Sequence, residues 1–370
     1  MQFAFNDEQQ MLRDSVERFG EDEWSAADRL KRLAEGREGT ARRWAQMAEL
    51  GWLMLPIAQE EGGLGGGPVE IMAIMEGVGR HLMTEAYVSH CVLAPALMAG
   101  GGDHCAALLE QVGAGQVRIA AALIENDDFD VAAISARASA IDDRFKLTGA
   151  KTHVEDGADA DWYLVSARTG GAPSERAGIS LFLVPSGAEG LAIQRFRAVD
   201  GHRHCSLDLV DVDAIPVGAI GEAADRIEAA LERAIVAHMA EAVGSMEAAV
   251  AATLDYVRTR QQFGAPIGSF QVVQHKVVDM SVACEEARAL MMVAASQLAS
   301  GGDASSLIAA AKVRIAQCGI AVAQQAVQLH GGVGTSEELI VSHHLRRQMM
   351  LDLAHGDRDH HKARFAELTR

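Results

Sequence analysis

Arg258-Thr259-Arg260-Gln261-Gln262-Phe263-Gly264-Ala265-Pro266-Ile267-Gly268-Ser269-Phe270-Gln271 is the stretch on which the fold turns. Before it, Met239, Val243, Met246, Val250, Leu254 and Val257 step by three or four residues; after it, Val273, Val277, Met280, Cys284, Ala287 and Met291 do the same. Such steps lay one apolar stripe along each of two helices, so the stretch between them is the turn of a helical hairpin. A third stripe, Ile308, Ala311, Ile315, Cys318, Val322 and Leu329, and a last helix after Glu337 make 221–370 an antiparallel four-helix bundle. Methionines in such stripes fill core gaps.

Upstream, over 116–220, the period changes to two. F-K-L-T-G, W-Y-L-V-S-A-R, I-S-L-F-L-V-P and C-S-L-D-L-V-D-V alternate or run apolar between Gly- and Pro-containing turns, which predicts a compact β domain. Residues 1–115 return to helix. Asn6-Asp7-Glu8-Gln9 has the form of a capping box, and Leu12, Val16 and Phe19 follow at helical spacing. The order is helices, strands, helices: a mainly α protein with a middle β-barrel-like domain and a C-terminal four-helix bundle.

The bulk numbers agree. A chain of 370 residues, 49% hydrophobic but only 5% aromatic, fills its interior with aliphatic residues and methionine, as packed helices do. A formal charge of -18 without a basic patch excludes nucleic acid and anionic membrane surfaces as partners. Cys91, Cys105, Cys205, Cys284 and Cys318 are scattered and odd in number, which points to buried thiols in a reducing cytoplasm. The start of the chain has no apolar signal core, and the protein is read as cytoplasmic.

The turn at 258–271 admits two readings on physics alone. An arginine beside a glycine turn, ahead of a helix N-terminus with free N–H groups, can seat a diphosphate; or Gly264 and Pro266 only punctuate the hairpin and the arginines are solvated. Gln328-Leu329-His330-Gly331-Gly332-Val333-Gly334 closes the next helix, where paired glycines let the backbone approach a ligand or form an ordinary helix cap. Near the end, His355, Asp357, Asp359, His360 and His361 crowd together without the spacing of an H-E-x-x-H metal pair, so no metal site is expected.

Together, R-x-x-F-G-x-x-I-x-x-F-Q from Arg260 and Q-x-x-G-G-x-G from Gln328 resemble the signatures of the acyl-CoA dehydrogenase family. E-L-G-W-L-M-L-P-I-A-Q-E-E-G-G-L-G from Glu49 resembles that family's N-terminal helical domain. The resemblance covers essentially the whole chain. It implies FAD held between two subunits, an acyl-CoA substrate, and a carboxylate that removes the α-proton while the β-hydrogen leaves as hydride to the flavin. It assigns Arg260, Phe263 and Gln271, with Gln328, Gly331 and Gly332, to the diphosphate and adenosine half of the cofactor. Electron-transfer flavoprotein is the acceptor it brings to mind.

At three places the residues differ from the family pattern. The T-E-P-x-A-G-S-D loop corresponds to Ile124-Glu125-Asn126-Asp127-Asp128-Phe129-Asp130, and the W-I-T/S that covers the flavin to His153-Val154-Glu155. Where the catalytic glutamate precedes a glycine, twenty-one residues past Gly334, stands His355 before Gly356. The family's second location for the base falls on Ala234, with Glu232 two residues away and Glu241 farther along the same helix. His355, Glu232 and Glu241 are the candidate bases. The ending G-D-x-D-H-H-x-x-R-F resembles the small subunits of heteromeric members acting on pimeloyl-CoA or steroid side chains. It implies a larger homologous partner in a heterotetramer, with a homo-oligomer as the other assembly it allows; the alternative function is a cofactor-free, non-catalytic scaffold of the same fold.

Overall fold

A computed structural model of the chain describes residues 5–126, 128–141 and 144–370. In chain order the helices are α1 (Asp7–Glu23), α2 (Arg29–Ala34), α3 (Arg37–Glu49), α4 (Pro68–His81), α5 (Ala94–Met98) and α6 (Asp103–Gly113). The strands follow: β1 (Ile119–Ala122), β2 (Arg137–Ile141), β3 (Arg144–Val154), β4 (Trp162–Arg168), β5 (Ile179–Pro185), β6 (Leu191–Arg197) and β7 (Arg203–Val217). Then come α7 (Ala224–Thr259), the short strands β8 (Gln261–Gln262) and β9 (Ala265–Pro266), α8 (Gln271–Ala299), α9 (Ser305–His330), α10 (Ile340–Leu353) and α11 (Arg358–Leu368). The capping box at Asn6 is formed: its side chain accepts from the Gln9 N–H at 2.8 Å, and the Gln9 side chain accepts from the Asn6 N–H at 3.0 Å.

The chain forms two compact units, each assembled from separate stretches. The first takes the residues up to Glu35, Gly67–Thr84 and Ile235–Arg370. Its core is the stripe read from sequence, with Met239, Val243, Met246, Met280, Met291, Ile308 and Ile315 all buried. Each such side chain contributes roughly 1.5–3 kcal/mol when removed from water. Within this unit α4 and α7 cross backbone to backbone: a Cβ at Gly244 would lie 1.8 Å from the Glu76 carbonyl oxygen, and one at Gly79 would lie 1.9 Å from that of Glu241. Beside the crossing, Arg288 bonds Glu76 at 3.0 Å and Arg80 bonds Glu247 at 2.8 Å. Burial pushes the Glu76 carboxyl up, against the pull of Arg288 and Arg13.

Two features differ from the sequence expectation. The helix expected after Glu337 is two helices. It breaks because His355 (φ 54°) and Gly356 (φ 106°) leave the helical region, and Asp357 then caps α11 by accepting from the N–H groups of Asp359 and His360 at 3.0 and 2.8 Å. The hairpin turn also carries its own small β ladder, Gln261 against Pro266 and Gln262 against Ala265. The helices α7 and α9 are long and apolar enough to cross a bilayer by composition, but most of each apolar window is buried inside the chain. They are core helices.

The second unit takes Gly36–Gly66 and Glu85–Ala234. Here the alternating segments close into a barrel: β4 pairs with β5, β5 with β7, β7 with β3, β3 with β2, and β2 touches β4 again, while β1 and β6 extend β4 and β7. A closed ring leaves no free edge among these five strands. In the helical part of the unit a buried ion pair joins Arg43 to Glu85 at 2.5 Å.

Gly244→Ala puts a methyl group into the α4 backbone, so the two helices must part. We expect a loss of about 1–3 kcal/mol or more, read as a lower urea midpoint with an unchanged slope. A midpoint equal to that of the parent would show that the crossing is looser than described.

Candidate cofactor site

In the first unit α7 stops abruptly. The Arg260 N–H donates the last helical bond, to the Tyr256 carbonyl at 2.8 Å, and the Ile267 N–H then returns to the Arg260 carbonyl at 2.8 Å. Between them Phe263 (φ 54°) and Gly264 (φ 81°) turn the β8–β9 hairpin through two left-handed residues. That geometry suits Asn-Gly or Gly-Gly; a phenylalanine there is strained, and strain of this kind collects where function needs it. The Phe263 side chain is 95% exposed and touches Phe270 only edge to face, ring centroids 6.3 Å apart. Arg260 and Gln271 are exposed beside it.

Gln328 lies exposed on the last turn of α9, and the chain leaves the helix at Gly331 (φ 66°). A Cβ added at Gly331 or Gly332 would meet nothing within 4 Å, so this backbone is open to a ligand. The two motifs, far apart in sequence, are brought together by Tyr256. Its ring stacks on His330 at 4.3 Å and its hydroxyl donates to the His330 carbonyl at 3.3 Å. Sequence reasoning missed Tyr256; its only signal is a lone aromatic one turn before Arg260. A groove of about 400 Å³ opens beside the hairpin, lined by Leu254, Val257, Arg258, Pro266, Val273 and Val277 among others. Leu254, Val273 and Val277, which the periodicity places in the core, are half-buried on its wall.

His355 lies in the break between α10 and α11. Its ring stacks on that of His238 from α7, centroids 5.2 Å apart and planes 17° apart. The break is held from two sides. The buried ammonium of Lys312 donates to the Leu351 carbonyl and, at 3.0 Å, to that of Ala354, while the His355 carbonyl lies 3.2 Å from His361 Nε2. A lysine on the apolar face of A-A-A-K-V-R-I-A was the signal for this support. Glu241 is one turn beyond His238, and both its oxygens accept from Arg347, at 2.5 and 2.8 Å. Both oxygens of this buried carboxylate are thus occupied by a two-pronged guanidinium. Glu232 is half-buried on the first turns of α7, in the portion that belongs to the second unit.

In the second unit the acidic loop is satisfied by its own residues. Glu125 accepts from the Lys151 ammonium at 2.6 Å, from the Ser135 N–H at 2.8 Å and from the Ala136 N–H at 3.1 Å. Asp128 accepts from the Asp130 N–H and Asp130 from the Ala132 N–H, at 3.0 and 2.9 Å. Asp127 lies outside the described residues. Burial pushes the Lys151 ammonium down to about 8, against the attraction of Glu125; burial also pushes the Glu125 carboxyl up, but Lys151 and the Ser135 bonds together hold the group below its usual range. At the end of β3 His153 takes a left-handed backbone and is exposed, and just beyond the strand Asp156 is buried with the His202 ring at 3.0 Å. The FAD test therefore divides. The exposed guanidinium, the aromatic and the open glycines of the first unit suit a nucleotide diphosphate, whereas this loop's carboxylates and amides are already committed to one another.

A helical N-terminal part, a closed barrel and a C-terminal helical bundle make up an architecture found among flavoprotein oxidoreductases. The chain belongs to the acyl-CoA dehydrogenase family: the family models for its N-terminal, middle and C-terminal domains match residues 6–116, 125–213 and 224–368. FAD is the cofactor that goes with this family. The chain is 27% identical over 367 residues to the probable acyl-CoA dehydrogenase YngJ of Bacillus subtilis (strain 168), covering 96% of each. Among solved structures it resembles a variant of the Tcur3481-Tcur3483 steroid ACAD, with a TM-score of 0.88, 26% identity and 98% of each chain covered. The FAD complex of PigA shares the fold, with a TM-score of 0.91, 23% identity and 100% and 99% coverage.

Three histidines give the stability of the chain a pH dependence. Burial pushes His90 down to about 4, and His344 and His361 each to about 3. Their folded values lie below the unfolded value, so the unfolded chain binds the extra protons as pH falls below about 6.5, and stability present above that pH is lost progressively toward pH 4. We expect the urea midpoint to fall between pH 7.5 and 5, and His344→Gln to flatten that fall. Equal slopes in parent and variant would exclude His344 as a contributor.

Proposed function

We propose that this chain is one subunit of an FAD-dependent acyl-CoA dehydrogenase, desaturating an acyl-CoA thioester between its α and β carbons, and that a larger homologous chain completes the active site. The observation that carries the reading is Phe263, a strained aromatic left 95% exposed beside Arg260, its ring meeting Phe270 edge to face with its faces open to solvent. Such a residue is built for a ligand or neighbour that arrives from outside. FAD, when bound, supplies the hydride acceptor. Arg260 then offsets diphosphate charge, Phe263 offers a face or edge to a flat ring, and Gln328, Gly331 and Gly332 supply an amide side chain and exposed backbone, with Gln271 at the start of α8 alongside.

The self-satisfied loop at Glu125–Ala136 favours a flavin ring seated on the partner's barrel. The family's glutamate is missing here, so the α-proton goes to a base on the partner. His355 is retained as the residue at this chain's own base position, since Arg347 occupies Glu241 and Glu232 stands two residues from the second known location. The steroid ACAD that this chain resembles carries two components in its name, which supports a heteromeric assembly. Electron-transfer flavoprotein is the acceptor we assign to the reduced enzyme.

The test is to purify the chain alone and together with the homologous chain encoded beside it, then to record flavin absorbance and acyl-CoA-dependent dye reduction. The lone chain should carry little flavin and no turnover, and the pair should show both. In the pair, Arg260→Ala should weaken FAD binding by about tenfold or more, the scale of a lost charge-assisted contact. Full flavin and turnover from the lone chain would restore a homomeric enzyme; an unchanged FAD content in the variant pair would favour the cofactor-free scaffold.

A further inference from the structure

The bonds around Tyr256 tie together two segments that otherwise have separate fates. Its carbonyl accepts the final helical bond of α7, from the Arg260 N–H at 2.8 Å, so its backbone fixes where Arg260 leaves the helix. Its hydroxyl reaches the carbonyl of His330, the last residue of α9, at 3.3 Å. Carbonyls at a helix end lack intrahelical donors, and here a side chain from the neighbouring helix supplies one. Its ring lies on the imidazole of His330, centroids 4.3 Å apart and planes 26° apart.

That imidazole is held in turn. His330 is buried, and its Nδ1 lies 2.7 Å from the Ala326 carbonyl, so Nδ1 carries the proton and the ring cannot rotate without breaking the bond. Burial lowers its proton affinity, against the effect of the Ala326 bond, and keeps it neutral against the phenol. Immediately after it the chain swings out at Gly331, and Gly334 packs so tightly that an added Cβ would lie 2.5 Å from the Val327 carbonyl oxygen. The exposed glycines thus hang from a residue clamped on three sides. Neither Tyr256 nor His330 is placed to touch a ligand through the groups already used in these bonds.

We infer that Tyr256 and His330 are positioning residues for the nucleotide half of the cofactor, setting the gap between the Arg260 guanidinium and the Gly331–Gly332 backbone. This rests on the FAD reading above and goes beyond it, since it assigns the affinity of the cradle to a pair whose polar groups are committed to each other and to Ala326. A gap fixed before binding spares the ligand the cost of ordering it; a loose gap charges that cost to affinity.

The experiment uses the flavin-loaded oligomer as purified, stripped and titrated with FAD and separately with ADP, which fills the nucleotide half alone. Tyr256→Leu, which removes both stack and hydroxyl, should raise the dissociation constants of FAD and ADP by the same factor, about tenfold. Tyr256→Phe, which keeps the stack, should stay within about threefold, and His330→Leu should match Tyr256→Leu. The thermal midpoint of the stripped protein is read alongside: a role confined to packing lowers that midpoint and leaves ADP affinity as it was, which overturns the inference. So does a loss seen with FAD but not with ADP. If Tyr256→Leu does not fold, equal weakening of FAD and ADP by His330→Leu supports the pair and unchanged affinities overturn it. Absence of FAD and ADP binding in the parent oligomer overturns the cofactor reading and this inference together, whereas parental binding with unaffected variants overturns this inference alone.

Discussion

A helix of 36 residues ends within one turn, and the exposed hairpin that carries Arg260 and Phe263 follows from how it ends. Continuing α7 past Thr259 would set Arg260 and Phe263, three residues apart, along one face of a longer helix and leave no hairpin. Two consecutive left-handed residues prevent that and fold the chain into a two-rung ladder, with Phe263 at its tip. The conformational cost of a phenylalanine in this region is met by the hairpin and by the helices on either side of it. The stretch is small, but the direction of α8, the opening of the groove and the exposure of Arg260 all descend from it.

The fold was largely legible because its signals are local and repetitive. The stripes of α7, α8 and α9 and the short apolar runs of β4 and β5 survive without knowledge of neighbours, since burial selects the same residues whatever packs against them. What could not be read is where a stripe opens. Leu254, Val273 and Val277 have the spacing of core residues, yet they line a groove because the hairpin holds the helix ends apart. The break between α10 and α11 depends on an ammonium from α9, and no local rule joins Lys312 to Leu351 and Ala354 across that distance. For the same reason Arg260 and Gln328 were legible as motifs, while Tyr256, the residue that joins them, was not.

Around His355 the molecule has kept a support and changed what it supports. Lys312, His361 and the Asp357 cap form a rigid break of defined shape. An imidazole there, lying flat on His238, has neither the reach nor the charge of a carboxylate. The commitment of Glu241 to Arg347 removes the nearest carboxylate on α7 from the same task.

The loop that begins at Glu125 has a consequence for order. Four of its backbone amides, at Asp130, Ala132, Ser135 and Ala136, already have carboxylate partners from the loop itself, and the buried Lys151 neutralises the innermost of these acids. Its shape is therefore paid for during folding. A visitor arriving at these described residues finds their amides taken, and to bond them it must displace a carboxylate that the loop already holds.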